Sequence, residues 1–389
     1  MDTKVFETYT ISQKRFTENA KYLFDIYLSE EMYQIVEKIR KNSIRFGDCY
    51  YIRQGIIALP KDKYLIPTTQ AYEKLDVKLK NLCKNVLEGE DVQRYWISWE
   101  GKYLVYKKEE LHRPRTEDIF ERKKLIIPRI ATQLRAVYDD ENFYCLERLY
   151  VAYPRKSDFN SRFFLGVLNS RLVDFYYKSQ YIPTHLSGAY LKYYKTYLEQ
   201  IPIKEVSPDN KTLADKIIEK ANEIQLAYRQ IKNLKKKIRG FPNSYFTGKE
   251  EFKILRDLVS RKELSKNFFM PSKKLTTSYY RDLQGNDVYR ISLDKDNYVE
   301  FHLQDVASYV FEALKVKNAI TSQELIKLEI PLPEKTKLFL SSLLNDRNLL
   351  KRLHEKIKEI DREIDSTVYE LYGITYKERF LIENYLKRH

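Results

Sequence analysis

Cations and hydrogen-bonding side chains alternate in the segment RIATQLR, which spans residues 129–135. Arg129 and Arg135 lie at its ends, and Thr132 and Gln133 lie between them. Guanidinium groups bind phosphates and the edge of guanine, and amide side chains pair with adenine. The segment therefore predicts a strand and loop that read base edges in nucleic acid.

A second candidate for the same chemistry is the loop at residues 179–190, SQYIPTHLSGAY. Its Pro and Gly predict an exposed connection that presents Gln180, Thr184 and His185. Lys192 follows in the tyrosine-rich run AYLKYYK, where cations and planar rings alternate. We predict that this loop and Lys192 contact nucleic acid, and a plain surface connection is the alternative.

A cluster of cations precedes both segments. Its members are Arg113, Arg115, Arg122, Lys123 and Lys124. Acidic residues lie among them, so a solvated face of mixed charge is one interpretation. Contact with phosphate is the other, and it is the one we predict.

The composition of the whole chain agrees with a polyanionic partner. The 389 residues include 70 Lys and Arg against 55 Asp and Glu, a formal net charge of +15. Hydrophobic residues make up 43% of the chain, which is enough for the cores of two or three domains. Such a charge excess predicts salt-sensitive binding to a polyanion, and double-stranded DNA is the first partner to test.

The cysteines and the N-terminal residues bear on the compartment. Cys49, Cys83 and Cys145 are far apart, which predicts reduced thiols and a cytoplasmic protein. The N-terminal segment is polar, so we expect no signal peptide, and no apolar run approaches the roughly 20 residues of a membrane span. We therefore expect no membrane partner.

Most catalytic patterns are missing from the sequence. There is no GxG, no phosphate-binding GxxxxGK[ST], no GxSxG and no metal-ligand spacing of histidines. Asp91, Glu100 and Lys102 have the D…ExK spacing of metal-dependent nucleases, in which two carboxylates hold Mg²⁺ beside a lysine. A Mg²⁺-dependent nuclease is thus one alternative, although a solvated hairpin produces the same spacing. We predict a binding module with no catalytic residue, no metal and no cofactor of its own.

The elements that must position these residues follow from periodicity. Residues 15–40 have helical spacing, residues 42–155 are mainly β, and residues 164–178 (FLGVLNSRLVDFYYK) return to helix. A hairpin is predicted to turn at Glu100-Gly101, and IPIKEV is a last strand. We predict that Asn169 and Ser170 cap or bond locally within the helical segment.

Two long helices are predicted in the remaining sequence. Isoleucines recur every seven residues at Ile217, Ile224, Ile231 and Ile238. A second heptad series comprises Leu343, Leu350, Ile357, Ile364 and Leu371. These series predict an antiparallel coiled coil within one chain, with a dimer through the same stripes as the rival. A coiled-coil scaffold that assembles partners is the other functional alternative.

Together the patterns predict an α+β protein in five parts. These are an N-terminal helical segment (1–41), a β-rich domain that contains the predicted DNA contacts (42–205), a long helix (206–240), a small mixed α/β region (241–333), and a C-terminal helix and tail (334–389). Residues 241–333 include a predicted hairpin, DVYRISLDKDNYVEFHL.

Four ordered stretches resemble one known family. They are RQGIIAL (53–59), VLEGEDVQRYWISWEGKYLVY (86–106), FERKKLIIPRIATQLRAVYDDENFY (120–144), and FLGVLNSRLVDFYYK (164–178) followed by the run to EQIPI. The set resembles the TaqI-like C-terminal specificity domain of adenine-specific DNA methyltransferases and fused restriction–modification enzymes. The C-terminal IDREIDSTVYELYGITYKE (360–378) is also similar to the usual end of such enzymes.

The resemblance implies recognition of DNA by this chain and catalysis elsewhere. Members of the family usually carry an upstream methyltransferase domain that holds S-adenosylmethionine, and this sequence shows none. The resemblance therefore implies a separate methyltransferase or restriction subunit as partner, with S-adenosylmethionine bound on that subunit. A base-modifying enzyme must extrude its adenine, so a second domain is needed to hold the duplex.

Overall fold

The computed structural model describes residues 28–181, 190–246 and 251–388. The α-helices in these ranges are α1 (Glu30–Arg40), α2 (Phe46–Cys49), α3 (Lys61–Tyr64), α4 (Thr69–Glu73), α5 (Val77–Asn81), α6 (Ser161–Asn169), α7 (Arg171–Gln180), α8 (Lys195–Leu198), α9 (Lys211–Arg239), α10 (Pro271–Lys274), α11 (Gln304–Lys315), α12 (Ser322–Ile326), α13 (Pro333–Leu371) and α14 (Tyr376–Arg388). The α+β class predicted from the sequence is confirmed.

The strands are short and numerous. They are β1 (Ser43–Arg45), β2 (Tyr50–Gln54), β3 (Leu65–Ile66), β4 (Cys83–Leu87), β5 (Val92–Gln93), β6 (Trp96–Ile97), β7 (Tyr103–Val105), β8 (Lys124–Pro128), β9 (Ile130–Ala131), β10 (Val137–Asp139), β11 (Tyr144–Cys145), β12 (Leu149–Pro154), β13 (Leu191–Lys192), β14 (Pro202–Lys204), β15 (Phe252–Ile254), β16 (Arg261–Glu263), β17 (Phe268–Phe269), β18 (Thr276–Arg281), β19 (Asp287–Ser292), β20 (Tyr298–Phe301), β21 (Ile320–Thr321) and β22 (Glu329–Pro331).

The chain divides into two compact units. The first comprises the described parts of Met1–Leu226 and Lys358–His389, and the second is formed by Ala227–Ile357. No helix in the described ranges is long and apolar enough to cross a membrane. The predicted N-terminal helix is present as α1, whose first turn is capped by the Ser29 hydroxyl. The rest of the predicted helix, residues 15–27, lies outside the described residues.

Two four-stranded sheets form the core of the first unit. One is antiparallel in the order β10-β8-β12-β2, and the other has the order β11-β4-β7-β3 with a parallel β11–β4 pair. Alternate residues of the first sheet, including Ile126, Val137 and Val151, are buried in one apolar cluster with Val86 and Leu104 of the second. The period of two along each strand thus places one face of the first sheet in this core.

Helix α6 contributes Phe164 to an aromatic cluster beside the first sheet. The ring of Phe164 lies 4.7 Å from that of Tyr50 in β2. Gly166 is needed here because a Cβ at this position would be 2.4 Å from Cγ2 of Ile217 in α9 and 3.7 Å from Cγ2 of Ile364 in α13. The helix can therefore approach α9 closely only with glycine at this position.

The helical segment at residues 164–178 is two helices rather than one. Ser170 has an extended backbone, with φ −70° and ψ 152°, so α6 ends and α7 begins at this residue. Its hydroxyl accepts a hydrogen bond from the N–H of Val173 at 3.3 Å, which confirms the predicted local capping role. The prediction for Asn169 is wrong, because its partner is the distant Ala136.

The hairpin predicted at Glu100-Gly101 is not formed. The chain does turn there, with Gly101 at φ +90°, but β6 pairs with β5 whereas β7 pairs with β3 and β4. The strands on the two sides of the turn therefore belong to different sheets. Local turn chemistry predicted the bend correctly but not the pairing.

Two long helices are present in the predicted regions, as α9 (Lys211–Arg239) and α13 (Pro333–Leu371), and ion pairs join them in the described residues of each unit. In the first unit, Nζ of Lys220 lies 3.0 Å from the carboxylate of Glu363. In the second unit, Nζ of Lys237 lies 2.8 Å from that of Asp346. The heptad isoleucines Ile217 and Ile224 are fully buried. The knobs-into-holes packing of a coiled coil and a dimer through it stay predictions.

The second unit is built around one antiparallel sheet. Its order is β16-β20-β19-β18, and the hairpin predicted within residues 241–333 is present as β19 and β20. Val299 and Phe301 of this sheet are buried in one cluster with Tyr309 and Val310 of α11.

Candidate nucleic-acid interface

Strands β9 and β13 bring together two of the segments singled out in the sequence. They pair antiparallel, with Ala131 opposite Leu191 and Ile130 opposite Lys192. The carbonyl of Arg129 also accepts a hydrogen bond from the N–H of Tyr193 at 2.8 Å. We call the resulting set the β9–β13 surface and define it as Arg129, Thr132, Gln133, Arg135 and Lys192.

Arg129 is held on this surface by neutral groups. Its Nη1 donates to the carbonyl of Glu147 at 3.0 Å, and its guanidinium carbon lies 5.6 Å from the centre of the Tyr150 ring. Its buried Nε has no hydrogen-bond partner among the described residues. The side chain is therefore oriented, but the described partners of its guanidinium include no anion.

Arg135, at the other end of this segment, is also bound by neutral groups. Its Nη1 donates to Oε1 of Gln93 at 3.1 Å, and its Nη2 donates to the carbonyl of Gly89 at 3.4 Å. Burial lowers the pKa of Arg135, because the charged form loses hydration. By contrast, Nη2 of Arg94 lies 2.6 Å from the carboxylate of Asp361. An anion near Arg135 would stabilise its charge.

Two polar side chains between the two arginines are accessible to solvent. Thr132 is exposed, and Gln133 is half-buried. On the neighbouring segment, Nζ of Lys192 lies 4.9 Å from the centre of the exposed Tyr194 ring. Tyr190 is 53% exposed and completes this edge of the surface. Exposed rings beside cations suit stacking and hydrogen bonding to nucleic acid.

The sequence patterns did not single out Tyr190 and Tyr194. Many tyrosines of this chain are buried, including Tyr177 in α7 and Tyr193 beside β13. The alternation of tyrosine and lysine in the segment was the available signal. It did not identify which rings face solvent.

Arg115 is joined to the β9–β13 surface by hydrogen bonds. Its Nε donates to the carbonyl of Gln54 at 2.9 Å, and Nε2 of Gln54 donates to the carbonyl of Glu147 at 3.0 Å. The same carbonyl accepts from Arg129. Arg113 is exposed nearby in sequence, where its backbone pairs with Ile57.

The family comparison identifies the region that contains this surface. Residues 84–203 match the family model of the TaqI-like C-terminal specificity domain. These residues are similar to that domain, and we call residues 84–203 the specificity domain. The resemblance predicted from three of the four internal stretches is thereby confirmed, and the match supports the prediction of a DNA-recognition module. The stretches at 53–59 and 360–378 lie outside the matched residues.

Solved structures of restriction–modification proteins resemble the chain distantly. The type IIG restriction endonuclease BpuSI is 12% identical over 50% of this chain with a TM-score of 0.35, and the match spans 28% of that protein's length. The type I S subunit from M. genitalium is 8% identical over 85% of this chain and 95% of that one, with a TM-score of 0.33. The HsdS subunit from Thermoanaerobacter tengcongensis is 12% identical over 85% and 96%, with a TM-score of 0.30. No curated protein matches the chain.

Within the specificity domain, the prediction that Lys124 contacts DNA is wrong. Its side chain is completely buried, and its Nζ forms an ion pair with the equally buried carboxylate of Asp139. The two residues lie directly opposite each other in the β8–β10 pair. Lys123 is exposed, but it precedes β8 whereas Arg129 follows it, about 20 Å away at strand spacing. The basic cluster is therefore not one surface.

The predicted exposed loop after α7 is only partly described. Gln180 is the last residue of α7 and is 6% exposed, and its Oε1 accepts a hydrogen bond from Nη2 of Arg40 at 2.6 Å. The prediction that Gln180 is an exposed DNA contact is therefore wrong. Thr184 and His185 lie outside the described residues.

The predicted nuclease trio is not assembled in the specificity domain. Nζ of Lys102 lies 3.3 Å, 2.8 Å and 3.3 Å from carboxylates of Glu88, Glu90 and Asp91. Glu100 is exposed and is not among the acidic partners of Lys102 in the described ranges. The Asp91 carboxylate accepts the N–H of Glu88 at 2.8 Å, which closes a capping box around a 3₁₀ turn. This arrangement indicates a structural role for Asp91 and Lys102.

Proposed function

We propose that this protein recognises a specific sequence in double-stranded DNA and directs a separate adenine-specific methyltransferase or restriction subunit to it. One observation carries the DNA-binding part of the proposal. Arg129 and Arg135 lie on either side of the outward-facing Thr132 and Gln133, and the described acceptors of both guanidinium groups are neutral.

A phosphate or a guanine edge would supply what these arginines lack. Both are partly buried and already oriented, so little side-chain entropy remains to be lost on binding. Thr132 and Gln133 offer donors and acceptors to base edges, and Lys192 adds a further cation. The net charge of +15 favours approach to a polyanion.

The proposed partner follows from the family that residues 84–203 match. That family couples recognition to a methyltransferase, and S-adenosylmethionine would be bound on that partner rather than on this chain. The two units and the long helices α9 and α13 provide surface beyond the matched residues for such a subunit. A mass-spectrometric analysis of proteins that copurify with the tagged chain from its native cells tests this part. We expect an adenine methyltransferase in the complex, and its consistent absence would contradict the partner assignment.

Selection from a random duplex library tests the recognition part. We expect one enriched sequence, bound with a steep dependence on salt. Fluorescence anisotropy with that sequence then compares Arg129→Gln and Arg135→Gln with the wild type. Each substitution should raise Kd by roughly 5- to 150-fold if the arginine contacts a base. If the arginine contacts a phosphate, the substitution should lower the salt slope by about 1.

Arg45→Gln is the matched control. Arg45 is an exposed arginine whose Nε already lies 2.8 Å from the carboxylate of Asp48. We expect its Kd to stay within about twofold of the wild type, since an exposed charge that is already paired and is not part of the β9–β13 surface adds little. Equal losses in all three variants, or no enriched sequence, would overturn the proposed function.

A further inference from the structure

Two buried polar side chains lie directly behind the β9–β13 surface. Asn169, at the end of α6, is 2% exposed. Its Oδ1 accepts the N–H of Ala136 at 2.7 Å, and its Nδ2 donates to the carbonyl of the same residue at 3.0 Å. The amide therefore satisfies both backbone groups of Ala136, 33 residues away in sequence.

Asp174, in α7, makes the second contact. Its Oδ1 accepts the N–H of Leu134 at 3.0 Å, and its Oδ2 lies 3.0 Å from Nζ of Lys178. Asp174 is 8% exposed and Lys178 is 6% exposed. Burial raises the pKa of Asp174, and the neighbouring ammonium of Lys178 opposes that shift. The carboxylate is thus a buried acceptor with its own counter-ion.

The residues whose main chain is held by Asp174 and Asn169 alternate with residues that are accessible to solvent. Leu134 and Ala136 are fully buried, whereas Gln133 and Arg135 are half-buried. Neither helix needs the two polar groups for its own hydrogen bonding, and burying an amide and an ion pair is costly when an apolar residue would pack. Instead, Asn169 and Asp174 fix the main chain of the loop between β9 and β10, residues 132–136.

We propose that Asn169 and Asp174 are positioning residues that set the side chains of Gln133 and Arg135 for sequence discrimination. The inference rests on the proposed function, since it requires this loop to read DNA. It also gives the end of α6 a defined role, because Asn169 binds the main chain of Ala136 rather than capping its own helix. Discrimination needs side chains held within about half an ångström of their hydrogen-bonding geometry, and main-chain anchors on a rigid helix provide this.

A matched pair of double variants isolates the acceptor on Asp174. Asp174→Asn with Lys178→Met keeps an oxygen that can accept from Leu134 and removes both charges. Asp174→Leu with Lys178→Met removes the acceptor as well. The readout is the ratio of Kd for random duplex to Kd for the selected sequence, measured with the salt slope on random duplex.

We expect the Asn double variant to keep the wild-type ratio within about threefold. In the Leu double variant this ratio should fall by at least about tenfold, whereas the salt slope and the affinity for random duplex should not change. A general loss of stability would instead weaken binding to both duplexes. Equal ratios in the two double variants would overturn the inference.

Asn169→Ala provides an independent arm if the Leu double variant does not fold. Its expected result is a loss of at least about tenfold in the ratio, together with faster amide hydrogen exchange at Leu134 and Ala136. An unchanged ratio in this variant would also overturn the inference. If the wild-type chain itself shows no preference between duplexes, the proposed function fails. That outcome differs from the two results that would overturn the inference alone.

Discussion

Replacing Lys124 with methionine separates a structural from a DNA-contacting role for this lysine. The side chain is fully buried, paired with Asp139, and donates to the carbonyl of Phe120 at 2.5 Å. Its removal leaves the Asp139 carboxylate buried with two backbone donors, the N–H groups of Glu141 at 2.8 Å and Phe143 at 3.0 Å. Loss of one partner from a buried pair costs about 3–5 kcal/mol, and these donors place the expected loss near 3 kcal/mol.

Urea unfolding followed by tryptophan fluorescence reports on the first unit, which contains Lys124, and therefore measures this loss of stability. The chain has two tryptophans, Trp96 and Trp99, and both lie in the first unit. Lys123→Met is the matched control, because Lys123 is the exposed neighbour, and its change should stay within about 0.5 kcal/mol. Lys124→Met with Asp139→Asn should recover much of the loss, since a neutral amide oxygen still accepts the two backbone donors.

The pH dependence of the single variant gives a second check. Burial already raises the pKa of Asp139, and removing the ammonium raises that pKa further. A carboxyl group with a higher pKa in the folded state binds protons preferentially when folded, so stability rises as pH falls through that pKa. The deficit of Lys124→Met should therefore shrink toward acid pH. A variant that is as stable as the wild type but binds DNA weakly would refute this account.

Three further changes have expected results in the same urea assay. Gly166→Ala should cost about 1–3 kcal/mol, because its Cβ would lie 2.4 Å from Cγ2 of Ile217, and adding Ile217→Ala should relieve part of that cost in a double-mutant cycle. Burial raises the pKa of Asp365 to about 6, so the contribution of this carboxyl to stability should fall by about 3 kcal/mol as pH rises from about 3 to about 7. Asp365→Asn should flatten the dependence of stability on pH. An equally steep dependence in this variant would show that the Asp365 carboxyl is not its cause. Asp91→Ala should cost about 1 kcal/mol through loss of its capping bond whereas Glu100→Ala should cost little, and the reverse order would contradict the capping role.

The features predicted correctly from the sequence are those encoded by local periodicity. The heptad isoleucines predicted a long helix within residues 206–240, where α9 spans Lys211–Arg239, and the alternation around residues 287–301 predicted the hairpin of the second unit. Short strands bounded by turn residues placed the β-rich region. Each of these patterns depends on neighbours within a few residues, and such signals are readable from one sequence.

The errors concern contacts between distant residues. Lys124 resembles the surface cations around it in sequence, and its burial depends on Asp139 facing it across the β8–β10 pair. The turn at Gly101 favours a hairpin by its local sequence, but the partner of β6 precedes it in the chain and β7 joins another sheet. Strand pairing is set by the whole core, which no local pattern specifies.

The candidate site was predicted in pieces that the sequence could not join. Arg129 and Arg135 belong to one predicted segment and Lys192 to another, and the β9–β13 register brings the two segments together. For Asn169 the sequence predicts only a local hydrogen bond. An amide and a carboxylate among the apolar residues of this helical stretch were the available signal for a distant partner, because buried polar groups need one.

The contacts behind the loop have an evolutionary consequence. Asn169 and Asp174 contact residues 132–136 through main-chain atoms of Leu134 and Ala136, so these hydrogen bonds do not depend on which side chains occupy positions 132, 133 and 135. Substitutions at those three positions can alter the preferred DNA sequence while the core that holds the loop stays the same. New specificities can thus arise by single outward-facing changes, and the cost in folding stability is small at each step.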